Sequence, residues 1–112
     1  MAHEKFKSCI EACVRCAQEC EHCGDACLGE SDVKMMAECI RLDKDCAAAC
    51  WLAAGCMSRG SRFAAEMCRL CATICDACGA ECGKHKPDHC RKCADACKKC
   101  AEECRKMAGA AA

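Results

Sequence analysis

Tyrosine is absent from this chain, tryptophan occurs once and phenylalanine twice. Leucine, isoleucine, valine and phenylalanine together supply only eleven of 112 residues. That shortage excludes an ordinary aliphatic or aromatic core, because too little large apolar side chain is available to fill one. Proline occurs once, at position 87, which leaves long stretches without a helix breaker. Net charge is missing as well. Seventeen Lys and Arg balance seventeen Asp and Glu, so there is no electrostatic footprint for nucleic acid or an anionic membrane. No apolar run could span a bilayer, and the opening MAHEKFKSCIE lacks the apolar stretch of a secretory leader. These absences point to the cytosol, where thiols stay reduced.

What the chain has instead is cysteine, twenty of them. Alanine, Glu, Lys and Arg make up much of the rest, and these are strong helix formers. Free cysteine buries as a small apolar side chain, so thiols can stand in for the missing aliphatic core. The length suits one domain, residues 1–112.

Breaks fall at Gly29-Glu30-Ser31, at Ser58-Arg59-Gly60-Ser61 and at Gly83-Lys84-His85-Lys86-Pro87-Asp88. They predict four helices over about 4–28, 32–58, 62–84 and 88–107. Ser31 and Ser61 are the expected N-caps, Pro87 suits a first helical turn, and Gly83 suits a helix end. The alanine-rich tail after Met107 is expected to fray. Short connections force neighbouring helices to run antiparallel, so the expected class is all-α, an up-down four-helix bundle with a Cys-lined core.

The cysteines recur at alternating steps of three and four. The first segment carries Cys9, Cys13, Cys16, Cys20, Cys23 and Cys27; the third Cys68, Cys71, Cys75, Cys78 and Cys82; the fourth Cys90, Cys93, Cys97, Cys100 and Cys104. The second is looser, with Cys39, Cys46, Cys50 and Cys56 and with Leu42, Ala53 and Met57 around the same face. A mean step of 3.5 is the seam of helices packed at shallow angles, whereas a strand would need a period of two. Asp43 is expected to point outward, with Leu42 turned in.

Packing alone does not account for so many thiols, since they stabilise a core less than leucines would. Disulfides within a helix are excluded by geometry. Side chains at i and i+4 have Cβ atoms about 5–6 Å apart, while a disulfide needs about 3.5–4.5 Å. The same separation suits a soft metal between two sulfurs, as at Cys9/Cys13, Cys16/Cys20 or Cys100/Cys104. Soft thiolates select Cu(I), Zn(II) and iron–sulfur clusters. Five Zn(II) ions in Cys₄ sites would carry ten positive charges against twenty thiolates, leaving ten negative charges buried at severe cost. Cu(I) accepts two or three bridging sulfurs, and one ion per thiolate leaves the core neutral. Each CxxC here lies inside a helix rather than a turn, and no cysteine precedes Pro87 as a ferredoxin run would require. An iron–sulfur electron-transfer protein and a zinc or thiol buffer of metallothionein type stay open as alternatives.

At one end the stripes run into Phe6, Met57, Phe63, Met67 and Met107, with the phenylalanines expected to plug the bundle. At the other they run into Leu28, Met35, Met36, His85 and His89, with His22 nearby. There imidazoles and thioethers could pass Cu(I) between a donor and the thiols, with His85, His89 and Met36 as ligands. His3 and His22 are read as surface residues, and Trp51, off the seam, as packing or an oligomer contact. No acid–base pair or oxyanion arrangement emerges, so no enzyme activity is expected.

The stretches CIEACVRCAQEC at 9–20, CRLCATICDAC at 68–78 and HCRKCADACKKCAEEC at 89–104 resemble the bacterial Cys-rich four-helix-bundle copper storage proteins, in particular their cytosolic class. The resemblance covers nearly the whole chain. It implies a tube of thiolates holding many Cu(I) ions through CxxxC pairs and bridging sulfurs. It also implies an open end bearing His and Met, frequent assembly into a homo-oligomer (a tetramer), and exchange with a copper chaperone or small thiol. The second segment departs from a full stripe, which puts metal capacity near Leu42, Asp43 and Ala53 in question.

Overall fold

A computed structural model describes residues 2–111, with side chains for 4–109. The side chain of His3 lies outside the described set. Four long helices form: α1 (Lys7–Cys27), α2 (Ala37–Arg59), α3 (Ala64–Cys82) and α4 (Asp88–Ala111). No strand occurs among the described residues. Each helix packs against its neighbours in sequence, and α1 closes the ring against α4. The result is an antiparallel bundle measuring 46 × 18 × 18 Å. Among the described residues, no helix is long and apolar enough to cross a membrane.

The helix ends show where local chemistry sets the boundaries. A short helical turn, Ala2–Lys5, breaks at Phe6 before α1 begins. The expected cap Ser31 is not used. Asp32 Oδ1 instead accepts the Met35 backbone N–H at 3.2 Å. A 3-10 turn over Lys34–Met36 then leads into α2, which starts later than the sequence suggested. At the far end of α2, Gly60 adopts φ 67°, and the N–H groups of Gly60 and Ser61 return to the carbonyls of Met57 (3.2 Å) and Cys56 (2.9 Å). This is a Schellman closure, which favours glycine because it has no Cβ. Ser61 does open the next helix: its Oγ accepts the Phe63 N–H at 3.1 Å and its carbonyl accepts that of Ala64 at 3.1 Å. Gly83, expected to close α3, does so in a right-handed conformation. The last helix does not stop at Met107. It runs on to Ala111, and Ala108 is buried.

The two bundle ends differ. Met57, Ala64, Met107 and Ala108 bury one end, with Phe6 and Met67 half-buried against them. Phe63 is not part of the plug, because it is exposed and lies against the Arg62 guanidinium. At the other end Met36 is buried, whereas Leu28, Val33 and Met35 face solvent.

Candidate metal centre

All twenty cysteines are free thiols, and none exceeds 5% exposure. They converge because each stripe follows the inward seam of its helix. From Cys27 to Cys9 the column spans about 27 Å at 1.5 Å per residue. Sulfur quartets, each with all atoms within 4.8 Å of one another, succeed each other along it. Cys23, Cys27, Cys39 and Cys90 form one at the end that carries the α3–α4 connection. Deeper come Cys20/Cys78/Cys93/Cys97, Cys16/Cys20/Cys46/Cys97, Cys16/Cys46/Cys50/Cys75 and Cys13/Cys71/Cys100/Cys104. Cys82 lies 3.2 Å from Cys39 and 3.8 Å from Cys93. Cys9 closes the column 3.7 Å from Cys104, with Cys68 beside both.

Neighbouring sulfurs stand 3.2–4.0 Å apart. A Zn–S bond of about 2.3 Å in a tetrahedron gives sulfur edges of about 3.8 Å, so distance alone admits zinc. Sharing separates the two metals. Cys16, Cys20, Cys46 and Cys97 each belong to at least two of these quartets, which suits ions joined by bridging sulfurs rather than isolated closed sites.

The sequence matches the profile of the family described as "Copper storage protein" over residues 2–109. The chain belongs to the copper storage protein family. It is 52% identical to the Cu(I)-bound copper storage protein BsCsp3 of Bacillus subtilis, over 96% of this chain and 99% of that one, with a TM-score of 0.88. It is 41% identical to a cytosolic copper storage protein from Streptomyces lividans carrying five coppers, over 96% and 95% of the two chains, with a TM-score of 0.91. A curated relative, "Uncharacterized cysteine-rich protein YhjQ" of Bacillus subtilis, is 54% identical over 64 residues. That stretch spans 57% of this chain and 59% of the relative.

Three features of the thiol column stand apart from the repeated quartets. The first is Asp43, which is wholly buried rather than outward-facing, while Leu42 is half-buried beside it. The Asp43 Oδ1 accepts from the thiols of Cys93 (3.1 Å), Cys78 (3.2 Å) and Cys82 (3.4 Å), and Oδ2 from Cys39 (3.7 Å). Burial, then the proximity of Cys93 and Cys78, pushes its carboxyl up to about 10. One signal could have found it: Cys39, Asp43, Cys46, Cys50, Ala53 and Met57 step by 4, 3, 4, 3 and 4, so Asp43 occupies a seam position.

The second is Cys56, which sits one residue off that seam. Its sulfur meets the Arg59 guanidinium at 3.8 Å, and no other thiol lies within hydrogen-bond reach among the described residues. The third is the histidine pair. His89 Nδ1 faces Cys23 at 3.4 Å, Cys90 at 3.6 Å and Cys27 at 4.0 Å. His85, in the connection after α3, instead meets Glu81 four residues back, Nε2 to Oε2 at 2.8 Å, and makes no hydrogen bond to a thiol among the described residues. His22 is exposed, its ring edge-on to His89 at 6.4 Å between centroids. Around this end, burial raises the Cys27 thiol and pushes Cys90 up to about 11. Trp51 donates from Nε1 to Glu21 at 3.3 Å and stays half-exposed.

Proposed function

We propose that this chain stores and sequesters Cu(I) in the cytosol, holding many ions among its core thiolates without turnover chemistry. The observation that carries this reading is the continuous column of buried sulfurs in overlapping quartets. A dry column of thiolates tolerates only cations that cancel its charge nearly one for one. Cu(I) does so and prefers sulfur. Zn(II) at four thiolates per ion leaves two uncancelled charges at every site. An iron–sulfur cluster would occupy one quartet and leave the rest of the column unexplained.

The proposed ligands are the seam thiolates, with His89 at the open end and Asp43 as an oxygen donor or thiol acceptor within. Met36 is buried one turn before Cys39, where it closes the α2 stripe. His85 stands outside this set, held by Glu81, and so does Cys56. A copper chaperone or small thiol is the expected donor, and assembly into a homo-oligomer is the expected state. Anaerobic titration of the reduced chain with Cu(I) against a competing chelator tests the reading. Uptake should approach the number of seam thiols, and Cys56→Ala should leave it unchanged. Saturation at one or two ions contradicts storage.

A further inference from the structure

Both ring nitrogens of His89 are engaged, and by different chemistry. Nδ1 faces the thiols of Cys23, Cys90 and Cys27, while Nε2 lies 3.0 Å from Oε2 of Glu30. A carboxylate accepts hydrogen bonds and donates none. The single proton of a neutral imidazole therefore sits on Nε2, and the lone pair on Nδ1 is aimed at the sulfurs. Neither partner is on a loose tether. The N–H groups of Gly29 and Glu30 return to the carbonyls of Ala26 (3.0 Å) and Cys27 (3.2 Å), so Glu30 extends the last turn of α1. His89 lies in the first turn of α4, where the Pro87 carbonyl accepts the Cys90 N–H at 3.0 Å.

His85 supplies the contrast. Its Nε2 also meets a carboxylate, but Glu81 lies only four residues back along the chain and the ring makes no hydrogen bond to a thiol among the described residues. A carboxylate alone does not turn an imidazole toward the column. One approaching across the bundle, from α1 to α4, does.

On the copper-storage reading above, we propose that Glu30 is a positioning residue for the open end. It holds the proton on the outer nitrogen of His89 and keeps the inner one ready to ligate the first Cu(I) that meets Cys23, Cys27 and Cys90. On binding, Nδ1 donates its lone pair and the ring loses no proton; the proton released comes from a thiol. Partners that fix a metal-binding histidine in this way commonly change affinity by about 10–100-fold.

The test uses the full chain labelled with ¹⁵N-histidine, first without metal. Long-range ¹H–¹⁵N correlation should show His89 as a single Nε2–H tautomer whose proton exchanges slowly with water. Glu30→Ala should abolish that protection and let the ring average, with His85 unchanged as an internal control. Glu30→Gln keeps an acceptor oxygen and should restore the tautomer, and it keeps the test readable if the alanine variant unfolds. With free Cu(I) set by a chelator, the Nδ1 resonance of Glu30→Ala should respond only at about tenfold or higher free copper. A wild-type tautomer and exchange rate in Glu30→Ala, or a response at the wild-type copper level, overturns the proposal. A wild-type chain that takes up almost no Cu(I) tells against storage and not against Glu30, because the tautomer is read without metal.

Discussion

At the scale of single residues, Asp43 is the departure with the clearest energetic consequence. Its carboxyl keeps its proton to about pH 10 in the fold, against an ordinary value of 3.8. Between those limits the folded chain binds more protons at this position than the unfolded chain does. The stabilisation is complete below the ordinary value and is lost as pH rises toward the folded one, by up to about 1.4 kcal/mol per pH unit. Metal-free, reduced protein should therefore lose stability between about pH 5 and pH 8, and Asp43→Asn should flatten that loss. Urea unfolding at several pH values measures it, and equal slopes in the two chains would contradict the burial cost assigned here. The sequence reading placed Asp43 outside by turning its neighbour Leu42 inward. The seam rhythm pointed the other way, and its four thiol donors explain why the rhythm prevailed. Cys56 is the converse case, a cysteine by type that the register moves off the column.

At the scale of elements, the four helices were legible because thiols take the seam positions that leucine would fill, at the same 3.5-residue step. Their ends were less legible. Ser31 and Asp32 are both good caps, and only the path between α1 and α2 decides that Asp32 is used. The alanine tail continues as helix because the inward step from Cys104 reaches Met107 and Ala108, which bury themselves against the bundle end. Gly60 carries the sharpest local requirement, a left-handed backbone joining α2 to α3. Gly60→Ala should cost about 1–2 kcal/mol, read as a lower urea midpoint with an unchanged slope. No shift in the midpoint would mean that the connection relaxes freely and does not fix the antiparallel turn. Gly79 matters differently: a Cβ there would stand 3.2 Å from that of Cys97, so its absence lets α3 and α4 approach closely.

At the scale of the whole molecule, the bundle is a narrow insulated column in which burial penalises uncompensated thiolate charge. Loading exchanges protons for metal without changing the charge inside, so it should weaken as pH falls. Filled sites should also raise the unfolding temperature, since ligand binding to the folded state stabilises it. The bundle and the soft-metal chemistry could be read from residue spacing, and the family from the resemblance of the Cys-rich stretches. That His89 faces the thiols across the bundle while His85 meets Glu81, and that Asp43 is buried among four thiols, depends on which helix faces which and needed three dimensions. Native mass spectrometry of the chain during Cu(I) loading tests the central claim most directly, since it counts bound copper and lost protons together. One proton should be displaced for each Cu(I), continuing to nearly one ion per core thiol. Loading that stops after a few ions, or five zinc ions retained against excess Cu(I), would contradict it.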